Sequence, residues 1–279
     1  MKAKLSIVAS IVILALSATG CEKLKARDHL NKGVQAFKNA KYSDAVEHFK
    51  SAVDLDPSFP TARLYLATAY MSQYIPGAES EENKKNAQAA NDQFLKVLEQ
   101  DPKNTVAVTS LASLHYSEAQ GAPALEQKLA KLAEAEKWYQ KLAELDPNNK
   151  EAYYSLGVIT WAKWYPALMT ARAKLGMKPE DPGPIKDKKI KEDLKAQWND
   201  TVNKGIQQLQ KALDVDPQYD DAMAYMNLLI RERADLADSP EQYKKDIETA
   251  DSWVQKALET KKIKAERAAN SGASGQAQK

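Results

Sequence analysis

Few side chains in this sequence could carry out catalysis or hold a metal ion. The chain has one cysteine and three histidines, at positions 21, 29, 48 and 115. None of them falls in an H-E-x-x-H zinc pattern or a C-x-x-C pair, and the sequence has no G-x-S-x-G turn and no glycine-rich phosphate loop. His115 lies on an apolar helical pattern and is predicted to be structural. We therefore predict no enzyme activity, no catalytic residue, no cofactor and no metal.

The cysteine stands at the end of an N-terminal segment that has three parts. Lys2 and Lys4 precede an uncharged apolar run over 5–16, and small residues then lead directly to Cys21. This is the layout of a secretory signal peptide. The apolar run is also shorter than the roughly 20 residues that a membrane-spanning helix needs. We predict a signal peptide over 1–20, with a retained membrane anchor as the weaker alternative.

The segment Ala18-Thr19-Gly20-Cys21 resembles the lipobox of bacterial lipoproteins. The resemblance implies cleavage before Cys21 and acylation of its thiol and new amine by fatty acids such as palmitate. Several acyl chains on one residue hold a protein firmly at a bilayer. Glu22 after the cysteine implies the outer membrane of the cell envelope, with the protein facing the periplasm. Cleavage by an ordinary signal peptidase, which would leave a free surface thiol, is the alternative.

Composition and charge exclude several other classes of protein. The 279 residues include 40 Lys and Arg against 38 Asp and Glu, and the two counts become equal without Lys2 and Lys4. This balance lacks the basic character of a nucleic-acid-binding protein, so we predict no nucleic-acid partner. Low glycine and proline with abundant alanine, leucine, lysine and glutamate favour a mainly helical protein. A single cysteine excludes an intramolecular disulfide.

Four segments of the sequence end alike, with an apolar helical pattern followed by Asp-Pro. Their prolines are Pro57, Pro102, Pro147 and Pro217, and a fifth segment, 250–260, keeps the spacing without the proline. After each proline a second pattern begins, with apolar residues three and four positions apart, which is typical of another helix. Each repeat is therefore predicted to be a helix, a turn and a second helix. The second helix should stop near the aspartate, because the residue before a proline disfavours the helical conformation.

These helix pairs resemble the tetratricopeptide repeat (TPR), a 34-residue unit whose small and large residues interlock two helices. The residues on the family's positions are Gly33, Ala45, Phe49, Ala52, Ala67, Tyr70, Ala90, Phe94, Val97, Ala112, Ala135, Tyr139, Gly157, Gly205, Leu209, Ala212, Ala250, Val254, Ala257 and the four prolines. The resemblance implies an all-α, right-handed superhelical solenoid of about five TPR-like helix hairpins over 21–262. The repeats are predicted at about 26–59, 60–104, 105–149, 150–219 and 220–260.

Repeats two, three and five are each eleven residues longer than the TPR period. Turn-forming residues locate their hairpin bends at 76–77, 121–123 and 238–240. The second helices are consequently expected to begin about two turns early and to be lengthened. Ser239 and Gln242 have the spacing of a capping box, with Pro240 at the first helical position.

Repeat four carries a longer insertion, at about 165–200. Its sequence predicts a short helix from about Pro166, a stop at Gly176 and a long second helix from about Asp187. Three prolines within 179–184 exclude regular structure between them. Trp161, Trp164 and Tyr165 open the insertion, either as a binding knob for a partner or as packing that holds the insertion to the repeats.

In the TPR family, the first helices of the hairpins line a concave face. The resemblance implies a partner-binding groove here, lined by Leu30, Phe37, Leu64, Met71, Tyr116, Tyr154 and Trp161. In the fifth repeat, the same inner positions of the family fall on Ala224 and Arg231. Large apolar and aromatic side chains are typical of interface centres, and they could take an amphipathic helix or an extended peptide. The same stripe is also typical of a buried core, or could be covered by the insertion, so this alternative stays open. Family members that grip a C-terminal carboxylate use lysine and asparagine at inner positions, where this chain has residues such as Val34 and Thr68.

Three functions are compatible with these patterns. The first is a non-catalytic TPR lipoprotein that acts as a protein–protein interaction scaffold or adaptor in the bacterial cell envelope. Its partner would be a protein or peptide, and its N-terminal lipid would contact the membrane. The alternative is an envelope small-molecule-binding protein or hydrolase, with a pocket closed by the repeat-four insertion. The third is a structural role, in which a disordered basic and polar tail over 263–279 touches anionic surfaces weakly.

Overall fold

A computed structural model describes residues 21–276, with side chains to residue 269. All regular secondary structure within that span is helical, so the predicted all-α fold is confirmed. The predicted signal peptide over 1–20 lies outside the described residues. Cys21 is exposed at the start of the first described helix.

The helices follow one another as hairpins along the chain. Their bounds are α1 (21–38), α2 (Tyr42–Leu55), α3 (Pro60–Met71), α4 (Glu81–Gln100), α5 (Thr105–Gly121), α6 (Leu125–Leu145), α7 (Lys150–Lys174), α8 (Lys188–Val215), α9 (Asp220–Arg233) and α10 (Pro240–Gln276). A 3-10 turn, Ala234–Leu236, joins the last two. The second helices α4, α6 and α8 have 20, 21 and 28 residues against 14 in α2, which confirms that they are lengthened.

The chain forms two compact units, one ending at Trp138 and the other beginning at Tyr139, within α6. In unit 1, α2 packs on α3, α3 on α4 and α4 on α5, and α3 also contacts α5. In unit 2, α7 packs on α8, α8 on α9 and α9 on α10, and α7 also contacts α9. Each unit therefore contains helices that pack on their sequence neighbours, while the first helices of successive hairpins touch.

The small and large residues of the TPR pattern form the cores of the hairpins. Phe49 and Leu209 are fully buried. A Cβ atom added at Gly33 would lie 2.5 Å from Phe49 Cε1, and one added at Gly205 would lie 2.5 Å from Thr160 Cγ2. Carbon atoms in contact are normally about 3.5–4.0 Å apart, so these glycines allow the two helices of a hairpin to approach closely.

Each Asp-Pro turn is built by the same hydrogen bonds. The Oδ1 atoms of Asp56, Asp101, Asp146 and Asp216 accept the N–H two residues later, at 3.2, 3.2, 3.2 and 2.9 Å. Asn104 and Asn149 then cap the next helix, because their Oδ1 atoms accept the N–H groups of Ala107 and Ala152 at 3.0 Å. The predicted ends of the second helices are confirmed, since each helix stops one residue before its aspartate.

The insertion differs from the prediction at Pro166. No new helix begins there, because α7 runs through Pro166 without a break to Lys174. A proline inside a helix costs about 3 kcal/mol, but burying one large apolar side chain contributes about 1.5–3 kcal/mol. Trp164 and Leu168, on either side of Pro166, are both within the core of unit 2 and are 0% and 1% exposed. This packing accounts for the uninterrupted helix.

The remaining features of the insertion agree with the prediction. Gly176, with a φ of +70°, lies two residues beyond the end of α7. Residues 182–187 are irregular, and Asp187 caps α8 by accepting the Ile190 N–H at 2.9 Å. The last hairpin also starts as predicted, since the Gln242 N–H donates to Ser239 Oγ at 3.2 Å.

The last helix extends into the segment that was predicted to be a disordered tail. α10 reaches Gln276, and residues 277–279 lie outside the described part of the chain. Lys264 pairs with Asp220, and Arg267 Nη1 donates to Gln218 Oε1 at 3.0 Å. These contacts tie the basic residues of the segment to the start of α9, a restraint that its polar composition did not indicate.

Candidate partner-binding surface

The predicted groove residues all lie on first helices of the hairpins, and all of them are half-buried. Leu30 and Phe37 are on α1, Leu64 and Met71 on α3, Tyr116 on α5, and Tyr154 and Trp161 on α7. Half-burial leaves part of each side chain in contact with solvent. Because five of the residues belong to unit 1 and two to unit 2, the two groups are described separately.

In unit 1, the two residues of α1 support the core of the first hairpin. Leu30 and Phe37 pack against the buried cluster that includes Phe49. The Phe37 ring also meets Tyr42 edge-on, with centroids 5.2 Å apart. These two side chains therefore contribute to the core of the first hairpin, while part of each remains exposed to solvent.

In unit 2, the structure brings Tyr154 and Trp161 into a continuous row of five aromatic rings. The row runs, in spatial order, through Tyr219, Tyr154, Tyr225, Trp161 and Tyr165. Successive ring centroids are 4.9, 5.7, 5.7 and 5.1 Å apart. Four of the rings are half-buried and Tyr219 is buried. We call these five residues the aromatic row.

Sequence reasoning placed Tyr154 and Trp161 in the groove, named Tyr165 as part of a binding knob or of the packing, and missed Tyr219 and Tyr225. It assigned Ala224 and Arg231 of α9 to inner positions, whereas the ring that completes the row is Tyr225. Tyr219 occupies the place, two residues after the turn proline, where Asn104 and Asn149 act as helix caps in other repeats. A tyrosine in place of the capping asparagine was therefore the feature of the sequence that could have pointed to Tyr219.

The three aromatic residues that open the insertion divide between the two predicted roles. Trp164 is fully buried and packs against Trp198 of α8, with ring centroids 5.9 Å apart. Trp161 and Tyr165 stack on each other within the aromatic row. Trp164 therefore packs the insertion into the core, while Trp161 and Tyr165 contribute to the surface.

A buried carboxylate lies directly against the row. The Trp161 Nε1–H donates to Glu232 Oε1 at 2.9 Å, whereas the buried Oε2 has no partner within hydrogen-bonding geometry. Burial raises the pKa of Glu232 from its ordinary value of 4.5 to about 7, and the Trp161 hydrogen bond only partly opposes this shift. The negative charge of Asp235 raises the pKa further. Glu232 is thus held in place by one ring of the row.

Replacing Glu232 with glutamine is expected to remove a pH-dependent loss of stability. A raised pKa means that the favourable contribution is complete below about pH 4.5 and is lost as pH rises through about 7. Glutamine copies the protonated acid, so the variant should exceed wild type by about 3 kcal/mol in free energy of unfolding at about pH 9, and match it at about pH 4. Urea denaturation followed by tryptophan fluorescence measures the difference. Glu259→Gln on α10 is the exposed control, and a pH-independent difference for Glu232→Gln would contradict this explanation.

The irregular loop of the insertion does not line the cavity that lies between α8 and the start of α10 in unit 2. A cavity of about 660 Å³ lies between α8 and the start of α10, and polar residues such as Asn203, Arg233 and Asp246 line it. Arg233 Nη2 donates to Asp246 Oδ1 at 2.8 Å, and Nη1 donates to Asn203 Oδ1 at 3.1 Å. None of the lining residues comes from 175–187. The loop instead packs on the last hairpin, where Ile185 is buried and its N–H donates to the Asp235 carbonyl at 2.9 Å.

The described part of the chain contains neither a metal-binding cluster nor a membrane-spanning helix. Within residues 21–276, no group of three or more histidine, cysteine or acidic side chains has an arrangement that could hold a metal ion. Among the helices of the same span, none combines the length and apolar character needed to cross a bilayer.

Comparison with known proteins identifies the repeat and the fold. Residues 30–105 match the family model described as tetratricopeptide repeat. A crystal structure of MamA protein aligns with a TM-score of 0.56 at 15% identity, covering 87% of this chain and 94% of that chain. A structure of MamA from residue 41 to its end, from Desulfovibrio magneticus RS-1, aligns with a TM-score of 0.54 at 16% identity, covering 86% and 96%. A comparison with curated protein sequences gave no match.

Proposed function

Because this chain is built of tetratricopeptide repeats, we propose that it is a non-catalytic scaffold that binds a protein or peptide partner at the bacterial cell envelope. Cys21 would carry the lipid that anchors it, in the outer membrane and facing the periplasm. The observation that carries the binding role is the aromatic row of unit 2, a partly exposed surface held on two packed helices.

The row has the properties of an interface centre. Tryptophan and tyrosine dominate the binding energy of many protein interfaces, because their large rings fill pockets while their polar ends form hydrogen bonds. Here the rings already contact one another, and Trp161 and Tyr219 are fixed by hydrogen bonds to Glu232 and Glu151. Side chains that are ordered before binding lose little conformational entropy when a partner arrives.

The non-catalytic part of the proposal is supported by the titratable cluster of unit 1. Buried His115 lies with Nδ1 2.8 Å from Glu118 Oε2, and Lys131 Nζ is 2.8 Å from the other carboxylate oxygen. Burial raises the pKa of Glu118, but the hydrogen bonds from His115 and Lys131 outweigh burial and hold it below the ordinary value. A carboxylate paired on both oxygens is a poor proton acceptor, so we interpret the cluster as structural.

Removing two rings of the row should abolish partner binding while sparing the fold. We expect the double variant Trp161→Ala and Tyr165→Ala to reduce cross-linking to its main envelope partner by at least about tenfold, since each hot-spot ring contributes about 2 kcal/mol or more. The measurement is quantitative mass spectrometry of cross-linked products from cells that express each variant.

The matched control is Trp253→Ala, which removes a half-buried tryptophan of the same unit outside the row. It should leave the cross-linked partners unchanged. Native circular dichroism of both variants excludes unfolding as the cause. A double variant that keeps both its circular dichroism and its full set of partners would refute the binding role of the row.

A further inference from the structure

The charges on the two helix faces of the aromatic row are negative apart from Lys150. On α7, the helical spacing that contains Tyr154, Trp161 and Tyr165 begins with Lys150 and Glu151, and the charge of Lys150 is paired with Asp216. On α9, the face that contains Tyr225 also carries Asp221, Leu228 and Glu232. The two faces thus present three carboxylates and one lysine, whose charge is paired with Asp216.

Two of these carboxylates act directly on rings of the row. The Tyr219 hydroxyl donates to Glu151 Oε2 at 2.5 Å. The charge of Asp221 adds to the effect of burial in raising the pKa of Tyr225. Glu151 and Asp221 are both exposed, so a ligand on the row would meet their charge in solvent-accessible positions.

The basic residues of the two helices are mostly committed to other partners. Lys150 Nζ lies 2.6 Å from Asp216, and Arg172 Nη1 lies 2.5 Å from Asp235. Arg231 pairs with Asp251, and Arg233 with Asp246. Four cations that could have neutralised the row are therefore held by carboxylates outside the two faces.

One ring of the row already holds a cation within the chain. The Lys150 ammonium lies 4.8 Å from the centroid of the Tyr219 ring, within the range of a cation–π contact. The remaining rings have the same negative π faces, and Trp161 is the ring type with the strongest attraction for a cation.

We propose that the aromatic row binds a basic, extended segment of a protein partner, whose lysine or arginine side chains lie over Trp161 and its neighbouring tyrosines. The inference rests on the proposed function and adds the charge of the partner to it. Aromatic faces attract the cations, and Glu151 and Asp221 complement their charge. An acidic segment would meet repulsion from the same carboxylates.

Two fluorescein-labelled peptides of about ten residues test the sign of the charge on the full chain. One alternates arginine with leucine, and the other alternates glutamate with leucine. Fluorescence anisotropy should give a dissociation constant at least about tenfold lower for the arginine peptide. Equal affinities, or tighter binding of the glutamate peptide, would overturn the proposal.

Variants then locate the binding on the row. Trp161→Ala should weaken binding of the arginine peptide by at least about tenfold. Asp221→Asn should weaken it by only about threefold, because the exposed charge of Asp221 is screened by solvent. Asp193→Asn removes an exposed carboxylate of α8 outside the row and is the matched control, with unchanged affinity expected. Asp221 is exposed, so its variant keeps the test valid even if Trp161→Ala is poorly folded. Unchanged affinity of both row variants would place the peptide elsewhere and overturn the proposal.

A third experiment distinguishes a protein segment from a lipid headgroup as the ligand of the row. Combined with the cross-linking, it also distinguishes failure of the basic partner from failure of the scaffold function. Phosphatidylcholine vesicles, which present a quaternary ammonium, should not displace the arginine peptide, and displacement would overturn the choice of a protein segment. If the row variants lose their cross-linked partners while the arginine peptide fails to bind, the basic partner is wrong and the scaffold function stands. If partners are also retained, both fail.

Discussion

Replacing Arg172 with alanine is expected to lower the free energy of unfolding of unit 2 by about 3–5 kcal/mol. Arg172 and Asp235 form an ion pair at 2.5 Å, with side chains that are only 4% and 7% exposed. Removing one member of a buried pair leaves the other charge without compensation. Burial outweighs the opposing effect of Arg172 and raises the pKa of Asp235 even with the arginine present.

The same guanidinium also orders the insertion. Its Nη2 atom donates to the carbonyls of Lys178 and Asp181, at 2.7 and 2.5 Å. The arginine therefore joins the end of α7, the irregular loop and the last hairpin through one side chain. Alanine would leave these two carbonyl groups without their donor, so the loop should loosen together with the loss of stability.

Urea denaturation followed by the fluorescence of the tryptophans of unit 2 measures this loss. The control is Arg63→Ala in unit 1, whose guanidinium bonds to the neutral acceptors Gln93 Oε1 and the Pro57 carbonyl, and it should cost less than about 1.5 kcal/mol. Adding Asp235→Ala to Arg172→Ala should cost less than the sum of the single changes, because the two residues interact directly. A loss below about 1 kcal/mol for Arg172→Ala would contradict the stabilising role of this arginine.

Features that depend on neighbouring residues could be predicted from the sequence. The Asp-Pro turns, the Ser239 cap and the Asp187 cap each involve groups at most three residues apart, so their residue types specify them locally. The spacing of small and large residues was equally informative. Gly33 and Phe49 occupy positions where only such a pair allows close helix packing.

Features that depend on residues far apart in sequence could not be predicted. Arg172 and Asp235 are 63 residues apart, and no local pattern links an arginine near a helix end to that aspartate. The continuous helix through Pro166 has a similar origin, because the packing of Trp164 and Leu168 in the core outweighs the local preference of proline.

The candidate partner-binding surface could be predicted from the sequence only in part. The family spacing gave Tyr154 and Trp161 of the row, because helical period alone places them on one face. Tyr225 is one position away from the expected inner residue, and Tyr219 precedes its helix, so their contribution depends on how α9 packs against α7. The carboxylate beneath Trp161 comes from the end of α9, 71 residues away. Its raised pKa is a property of burial and could not be read from the residue type.

Replacing Cys21 with serine is expected to abolish the sedimentation of the protein with the outer membrane. If the chain is a lipoprotein, the thiol of Cys21 is the attachment point of a fatty acid, and serine would prevent both the acylation and the cleavage before it. Each buried CH₂ group of an acyl chain contributes about 0.8 kcal/mol to membrane binding, so loss of all chains removes the anchor. The chain has no second cysteine, which makes incorporated palmitate specific for this residue.

Labelled palmitate and membrane fractionation together test the anchor. Wild type should incorporate the label and sediment with the outer membrane, while Cys21→Ser should carry no label and lose its sedimentation with that fraction. The matched control is Ser43→Ala, a substitution at an exposed position of α2, which should behave as wild type. If wild type incorporates no palmitate, the ordinary signal peptide with a free thiol is correct. If Cys21→Ser stays in the outer-membrane fraction without label, the attachment to that membrane comes from another part of the chain, and the lipid anchor must be abandoned.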